Sequence, residues 1–337
     1  MTWHHDVACQ IHDWDGDGQL DVIVCDQGAL VEIDGRTGRE KRRIPIEKEA
    51  TDCLVFCDLS GKGCPTDVLV KDRYLQIWAY DQTGALLWTV KYPGGYRTAH
   101  QPVPLDIDGD GRDEILAGYA LLNPDGSVRW VYSSDRIELK RGHLDCARVL
   151  ERGDRPEGWR TVMTFYGANA IAAVDGLGKT LWEVTGHHFE SINVGKLAED
   201  LPGRQLFVDI DHQPFGQSPI WAFDRDGNKI GELTTSYSRH HKLIDWTGDG
   251  LEEIVVAHNR ALYDARGKRL ATLDVPEEAL DAAKGAELSV FTGDMDGDGV
   301  PDILVAQPTH VFIYRNPSGV APVAGTPLET GSNVTLY

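Results

Sequence analysis

Asp294-Met-Asp296-Gly-Asp298-Gly-Val-Pro-Asp302 runs straight into Ile303-Leu-Val-Ala306, and the reading of this stretch decides the fold. Aspartates at the first, third and fifth places and a carboxylate at the ninth offer the oxygens that a hard dication takes, with glycine at the tight bend. An EF-hand would place Glu at the twelfth position and a helix on either side. Here the twelfth residue is Val305, inside a β-branched run, so the loop joins two strands. Three further copies share the grammar: Asp13, Asp15, Asp17 and Asp21; Asp106, Asp108, Asp110 and Glu114; and Asp245, Thr247, Asp249 and Glu253. Their twelfth residues are Val24, Ala117 and Val256. Four copies at one spacing predict bound calcium and a repeat.

The copies begin at 13, 106, 245 and 294, and the gaps fit two, three and one periods of a single repeat. Degenerate copies fall where that spacing asks for them. They are Asp58-Leu-Ser-Gly-Lys-Gly63 before Asp67-Val-Leu-Val70, Leu150-Glu-Arg-Gly-Asp154 before Thr161-Val-Met-Thr-Phe165, and Lys196-Leu-Ala-Glu-Asp200 before Gln205-Leu-Phe-Val208. A second marker is a turn of Asp or Asn, two residues, then Gly. It stands at Asp81–Gly84, Asn123–Gly126, Asp175–Gly178, Asp224–Gly227, Asp264–Gly267 and Asn316–Gly319, with Asp34–Gly38 one residue longer. Such residues suit a hairpin turn that closes in the left-handed region, and Trp88, Trp130 and Trp182 follow in the next strand.

Each unit therefore reads as four strands, A to D, with the acidic loop between A and B and the Asp-x-x-Gly turn between C and D. Four-stranded units repeating at about 40–50 residues are the signature of a β-propeller. The predicted fold is all-β: one domain over 1–337, a seven-bladed β-propeller of four-stranded antiparallel blades with calcium-binding A–B loops. Asn333-Val-Thr-Leu-Tyr337 is expected to supply strand D of the last blade. The best helix candidate is Pro276–Lys284, with Gly285 just past its end.

A net charge of −20 over 337 residues argues against a nucleic-acid partner, and no stretch is apolar and long enough to span a membrane. Cys9, Cys25, Cys53, Cys57, Cys64 and Cys146 form no CxxC pair and read as small buried hydrophobes. As it stands, the sequence reads without a secretory leader, because His4-His5-Asp-Val already belongs to the first unit. That and the thiols suit the cytoplasm, while calcium loops of this kind suit a secreted or periplasmic protein. Compartment and oligomeric state stay open.

Propeller topology puts the A–B and C–D turns on one face, and the B–C loops and the connections into strand A on the other. His4, His5, His100, His143, His187, His188, His240 and His241 approach strand A, while His212, His258 and His310 fall in B–C loops; only His12 lies elsewhere. A single histidine is more often a capping or packing residue than a catalyst, so the cluster carries the weight. His100, His143, His188 and His241 are the expected innermost members, since adjacent strand residues face opposite ways. The same face holds Lys71, Arg73, Arg97, Tyr119, Tyr166, Asn169, Gln213, Tyr237, Arg239, Lys242, Asn259 and Arg260. Cations and proton-transfer groups gathered in an acidic protein point to an anionic, hydroxylated ligand, namely an acidic poly- or oligosaccharide. Substrate contact is expected from Arg73, Arg97, Tyr119, Asn169, His212, Arg239, His258, Asn259, Arg260 and His310.

The Asp-x-Asp-Gly-Asp-Gly-x-x-Asp/Glu loops resemble those of FG-GAP-type calcium propellers. More specifically, His100 to Glu114 followed by Ile115-Leu-Ala-Gly-Tyr119, then Asn123-Pro-Asp-Gly126 and Gly142-His-Leu-Asp145, is similar to bacterial rhamnogalacturonan lyases of polysaccharide lyase family eleven. Those lyases are longer and eight-bladed, against seven units here. Seven-bladed lyases and rhamnosidases acting on rhamnose–uronate glycans also use a histidine-rich axial face. The resemblance implies β-elimination at a uronic acid, with a cation on the carboxylate, a base for the neighbouring proton and an acid for the leaving oxygen.

Arg239, Arg260 or Arg73 would meet the carboxylate, His143 or His188 would act as base, and Tyr166 or Tyr237 as acid. A hydrolase would want two carboxylates across the bond, and this face offers Asp145, Glu190 and Glu287. Axial histidines could instead hold a transition metal. A calcium-dependent glycan-binding or adhesion module without turnover is the remaining class.

Overall fold

The repeat becomes a run of antiparallel meanders. The computed structural model describes residues 8–50, 52–134, 142–211, 213, 217–235, 237, 241–282, 288–317 and 332–333, and in it seven antiparallel sheets follow one another along the chain. Their first strands are Cys9–His12, Cys53–Cys57, Thr98–Leu105, His143–Glu151, Phe189–Gly195, His241–Ile244 and Ser289–Gly293. Each pairs with the strand after its loop: Asp21–Asp26, Asp67–Lys71, Glu114–Gly118, Arg160–Tyr166, Gln205–Ile210, Glu253–Val256 and Asp302–Ala306. The ninth carboxylates Asp21, Glu114, Glu253 and Asp302 are thus the opening residues of second strands. All four are buried.

Two sheets depart from four strands. Ser332 and Asn333 pair with Ile11 and Gln10, which gives the first sheet five strands, while the last sheet has three among the described residues, Ser289–Gly293, Asp302–Ala306 and Val311–Tyr314. The expectation that Asn333 opens the fourth strand of the last sheet is corrected: it covers the backbone edge of Cys9–His12, a row of donors and acceptors that would otherwise stand open. Residues 334–337 lie outside the described residues. The helix forms over Glu277–Ala282, and no helix among the described residues is long and apolar enough to cross a membrane.

The chain divides into two compact units, residues 1–185 with 328–337, and residues 186–327. In the first unit the first strands of sheets one to four lie side by side, and in the second those of sheets five to seven do. Alternating side chains of one strand enter different cores, because successive residues face opposite ways. Ile115 and Ala117 pack with Leu69 and Ile77 of the second sheet, while Leu116 packs with Met163 and Ala172 of the fourth. In the second unit Ile254 and Val256 join Phe207, and Val255 joins Ile303 and Val305. Apolar runs such as Glu114–Gly118 are buried on both faces for this reason.

Two of the tryptophans after the Asp-x-x-Gly turns, Trp88 and Trp130, lock one sheet to the next. Trp88 Nε1 donates to the Pro124 carbonyl and Trp130 Nε1 to the Gly176 carbonyl. A Cβ added at Gly126 would lie 2.8 Å from Trp88, and Gly126 has φ +82. Glycine is therefore required at that position twice, for the left-handed backbone and for the tryptophan seat.

Candidate functional site

Irregular pairing marks the histidine end of three first strands. In the fourth sheet His143 pairs with Tyr166 and Leu144 with Phe165, then the register slips before Cys146 meets Thr164, leaving Asp145 in the irregularity. The third sheet slips between its Thr98 and Val103 pairs, around His100, and the fifth between Phe189 and Ile192, around Glu190. The corresponding pairs of the first, second, sixth and seventh sheets keep continuous register. Bulges bend a strand and re-aim its side chains.

In the first unit this irregularity assembles a cluster. Asp145 Oδ1 stands 3.0 Å from His143 Nε2 and 3.5 Å from His100 Nε2. All three residues are buried, and the two rings lie edge to face, 4.9 Å apart. Tyr166 stacks on His143 at 4.9 Å, and Tyr74 leans on His143 at 4.7 Å and meets His100 edge-on at 5.6 Å. The guanidinium groups of Arg73 and Arg97 lie 5.1 and 4.9 Å from the centre of the Tyr74 ring. Buried Asp52 anchors this loop, with Oδ2 3.0 Å from Lys71 Nζ and Oδ1 3.4 Å from Arg73 Nη1. Lys71 also donates to the Arg73 carbonyl, and Asp72 Oδ1 accepts the N–H groups of Tyr74, Leu75 and Gln76.

Tyr74 and Asp52 are members that sequence reasoning missed. Tyr74 follows Arg73 in the same B–C loop, so position gave a signal, but nothing local shows that its ring reaches residues of the third and fourth sheets.

The second unit carries its own buried pairs. His188 Nε2 lies 3.5 Å from Glu190 Oε1. His241 Nε2 lies 3.5 Å from Asp209 Oδ1, its Nδ1 is 2.9 Å from Asn193 Nδ2, and Asp209 accepts the Ser191 N–H. Tyr237 packs beside His258, whose Nε2 accepts the Leu288 N–H. Asn259 donates to the Thr234 carbonyl and the Tyr263 hydroxyl, and buried Arg260 donates to Gln307 Oε1. His310 is exposed and stacks on Phe312.

Asn169 is exposed at a turn with φ +49. Tyr119, expected at the ligand surface, is placed in the core instead: it is fully buried and its hydroxyl donates to the Tyr166 carbonyl. His4, His5, His212, Arg239, His240 and Glu287 lie outside the described residues.

The acidic loops occupy the other end of the first strands. Asp13 Oδ2 accepts the Gly18 N–H, Asp106 Oδ2 that of Gly111, Asp245 Oδ2 that of Gly250 and Asp294 Oδ2 that of Gly299. One oxygen of the first carboxylate thus closes each loop. Oxygens of Asp13, Asp15 and Asp17 lie within 4.8 Å of one another, as do those of Asp106, Asp108 and Glu114. Basic side chains stand against three loops: Lys41 Nζ 2.6 Å from Asp15 and 2.7 Å from Asp21, Arg129 at Asp108 and Glu114, and Arg315 at Asp296.

In the Asp245 loop, Thr247 Oγ1 and the Trp246 N–H both donate to Glu253. Burial pushes the Glu114 carboxyl up to about 7 and raises that of Glu253. Asp13 Oδ1 is buried without a hydrogen-bond partner. Hard oxygen donors at short range, buried acids at the ninth place and an orphaned oxygen fit a calcium ion.

The FG-GAP-like repeat family matches residues 245–305, which hold the Asp245 and Asp294 loops. No curated protein matches the sequence. Among solved structures, the chain is similar to the Vibrio cholerae biofilm matrix protein Bap1, with a TM-score of 0.63 and 13% identity over 94% of this chain and 78% of that one. It is similar to the Bacillus licheniformis rhamnogalacturonan lyase PL11, with a TM-score of 0.61 and 16% identity over 94% of this chain and 61% of the lyase. The C-terminal WD40 domain of Sif2 matches with a TM-score of 0.56 and 10% identity, over 88% of this chain and 78% of that one. The chain therefore spans about three fifths of the lyase's length. At such identities the likeness shows the fold, a propeller-like all-β architecture.

Proposed function

We propose that the protein is a polysaccharide lyase that cleaves a uronate-containing glycan, of the rhamnose–uronate type, by β-elimination at the first-unit cluster. The observation that carries this reading is the buried His143–Asp145 pair at 3.0 Å, faced by Tyr74 and Tyr166 with Arg73 and Arg97 alongside. The likeness to a rhamnogalacturonan lyase supports the substrate class.

In the reaction, Arg73 or Arg97 meets the uronate carboxylate and makes the hydrogen on the adjacent carbon more acidic. His143 takes that proton. The electron pair of the C–H bond forms the new carbon–carbon double bond, and the bond to the glycosidic oxygen breaks. A tyrosine, Tyr166 or Tyr74, returns a proton to the departing oxygen. Asp145 holds the His143 ring and stabilises the imidazolium as it forms, the role a buried aspartate plays beside a histidine base. His100 completes the wall against the same carboxylate.

The seven sheets are, in this reading, the blades of one propeller, supported by the single repeat period in the sequence. Calcium in the four acidic loops is structural: the loops would hold it through Asp13, Asp15, Asp17 and Asp21 and their counterparts, at the end of the strands away from the histidines.

A second reading, a calcium-dependent glycan-binding module without turnover, is favoured by the likeness to a biofilm matrix protein. Incubation with a panel of uronate-containing glycans separates the readings. Ultraviolet absorbance from an unsaturated uronate product supports elimination. New reducing ends without that absorbance mean hydrolysis, and retention on the glycan with neither signal means binding alone.

A further inference from the structure

We propose that His100, His143 and Asp145 form a binding site for a divalent transition-metal ion, zinc foremost. The three donors come from two neighbouring strands of the first unit, Thr98–Leu105 and His143–Glu151, and their ligand atoms lie within 4.8 Å of one another. A tetrahedral ion with bonds of about 2.0–2.1 Å keeps its ligand atoms about 3.3 Å apart. The two Nε2 atoms stand 3.0 and 3.5 Å from Asp145 Oδ1, which brackets that edge. Two imidazoles with one carboxylate suit zinc, iron or manganese, whereas calcium prefers an all-oxygen shell such as the loops provide.

A hydrogen-bonded His–Asp pair accounts for one imidazole on the carboxylate. It leaves unexplained why a second imidazole, from another sheet, aims its Nε2 at the same oxygen. Both rings would bind the ion in their neutral form, the form in which histidine takes metal. Three protein donors also leave a position for water or a substrate oxygen.

The site does not depend on the elimination chemistry, but it constrains it. An ion on His143 Nε2 removes that ring as a base, so zinc silences the proposed lyase and chelation restores it. The direct test uses full-length protein made without a polyhistidine tag or nickel column, stripped of metal and held in excess calcium to fill the oxygen loops. Titration with cobalt(II) is expected to give the intense visible bands of four- or five-coordinate cobalt, saturating at about one equivalent and lost when zinc is added.

In His100→Gln and Asp145→Asn the cobalt affinity is expected to fall on the order of a hundredfold or more, beyond the usual cost of losing an outer-shell partner. Weak octahedral bands alone, or unchanged affinity in both variants, overturn the proposal. X-ray absorption of the zinc-loaded wild-type protein needs no variant: two imidazoles in the shell are expected, and none would overturn it. Neither readout uses a glycan, so loss of this site and loss of the lyase reading are separate results.

Discussion

The two ends of the first strands follow opposite rules. At the loop end, carboxylates converge within nine residues of one another, most of them at least partly exposed, with one oxygen of each first Asp tied to a backbone N–H. At the histidine end, His100 meets Asp145 and Tyr74 meets His143 across separate sheets, with His100 and Asp145 set in irregular pairing. A local site repeats with the chain because its geometry is written in one loop. A site built from several sheets need not repeat: the His143 cluster has aromatic and guanidinium neighbours, whereas His241 sits between Asp209 and Asn193 with no such neighbour among the described residues.

The sharpest way to break this comparison is at His143. His143→Ala is expected to lower turnover of the cleaved glycan by about 10²–10⁴-fold, the usual contribution of a general base, and, because it takes a partner from buried Asp145, to cost about 1–3 kcal/mol of stability as well. Full activity in a folded variant would remove the base assignment. Next in size is calcium. An ion present at a hundred times its dissociation constant stabilises the fold by about 2.7 kcal/mol per site. Chelation should therefore lower the melting temperature, and Asp108→Asn or Asp296→Asn should each recover only part of the calcium-dependent rise. A melting curve indifferent to calcium would mean that the loops are acidic turns and nothing more.

His241→Ala sharpens the contrast between the units. Removing this ring takes a polar partner from buried Asp209 and from Asn193, at a cost of about 1–3 kcal/mol in denaturant unfolding, with turnover preserved. Lost turnover at unchanged stability would move the chemistry into the second unit. The smallest effect is expected at Gly126→Ala, where a methyl group meets Trp88 and the left-handed backbone is strained, for about 1–2 kcal/mol. Stability unchanged by that substitution would show that the turn glycine seats no tryptophan.

The sheets were legible because the repeat carries two markers in fixed places. The acidic loop, full in four sheets and degenerate in three, announces the first hairpin, and the Asp-x-x-Gly turn, followed in three sheets by Trp88, Trp130 or Trp182, announces the last. What escaped was non-local. Ser332–Asn333 pair with the first strand across the length of the chain, and no pattern in those two residues names their partner.

Tyr119 looked surface-bound beside a polar loop, yet its ring fills a core between the third and fourth sheets. Tyr74, which no repeat marker singles out, bridges two histidines. His100, His143 and Asp145 were each visible in the sequence. Their convergence on one carboxylate oxygen depends on bulges, and a bulge is set by how two strands pair rather than by either strand alone.

The central claim is that chemistry belongs to the histidine end and cohesion to the acidic end. Its most direct test is turnover of the cleaved glycan after calcium is chelated, measured well below the lowered melting temperature. The expected result is a fall in melting temperature with the catalytic rate retained. Loss of turnover in step with calcium removal, from protein still folded by circular dichroism, would place calcium in the reaction and contradict the account.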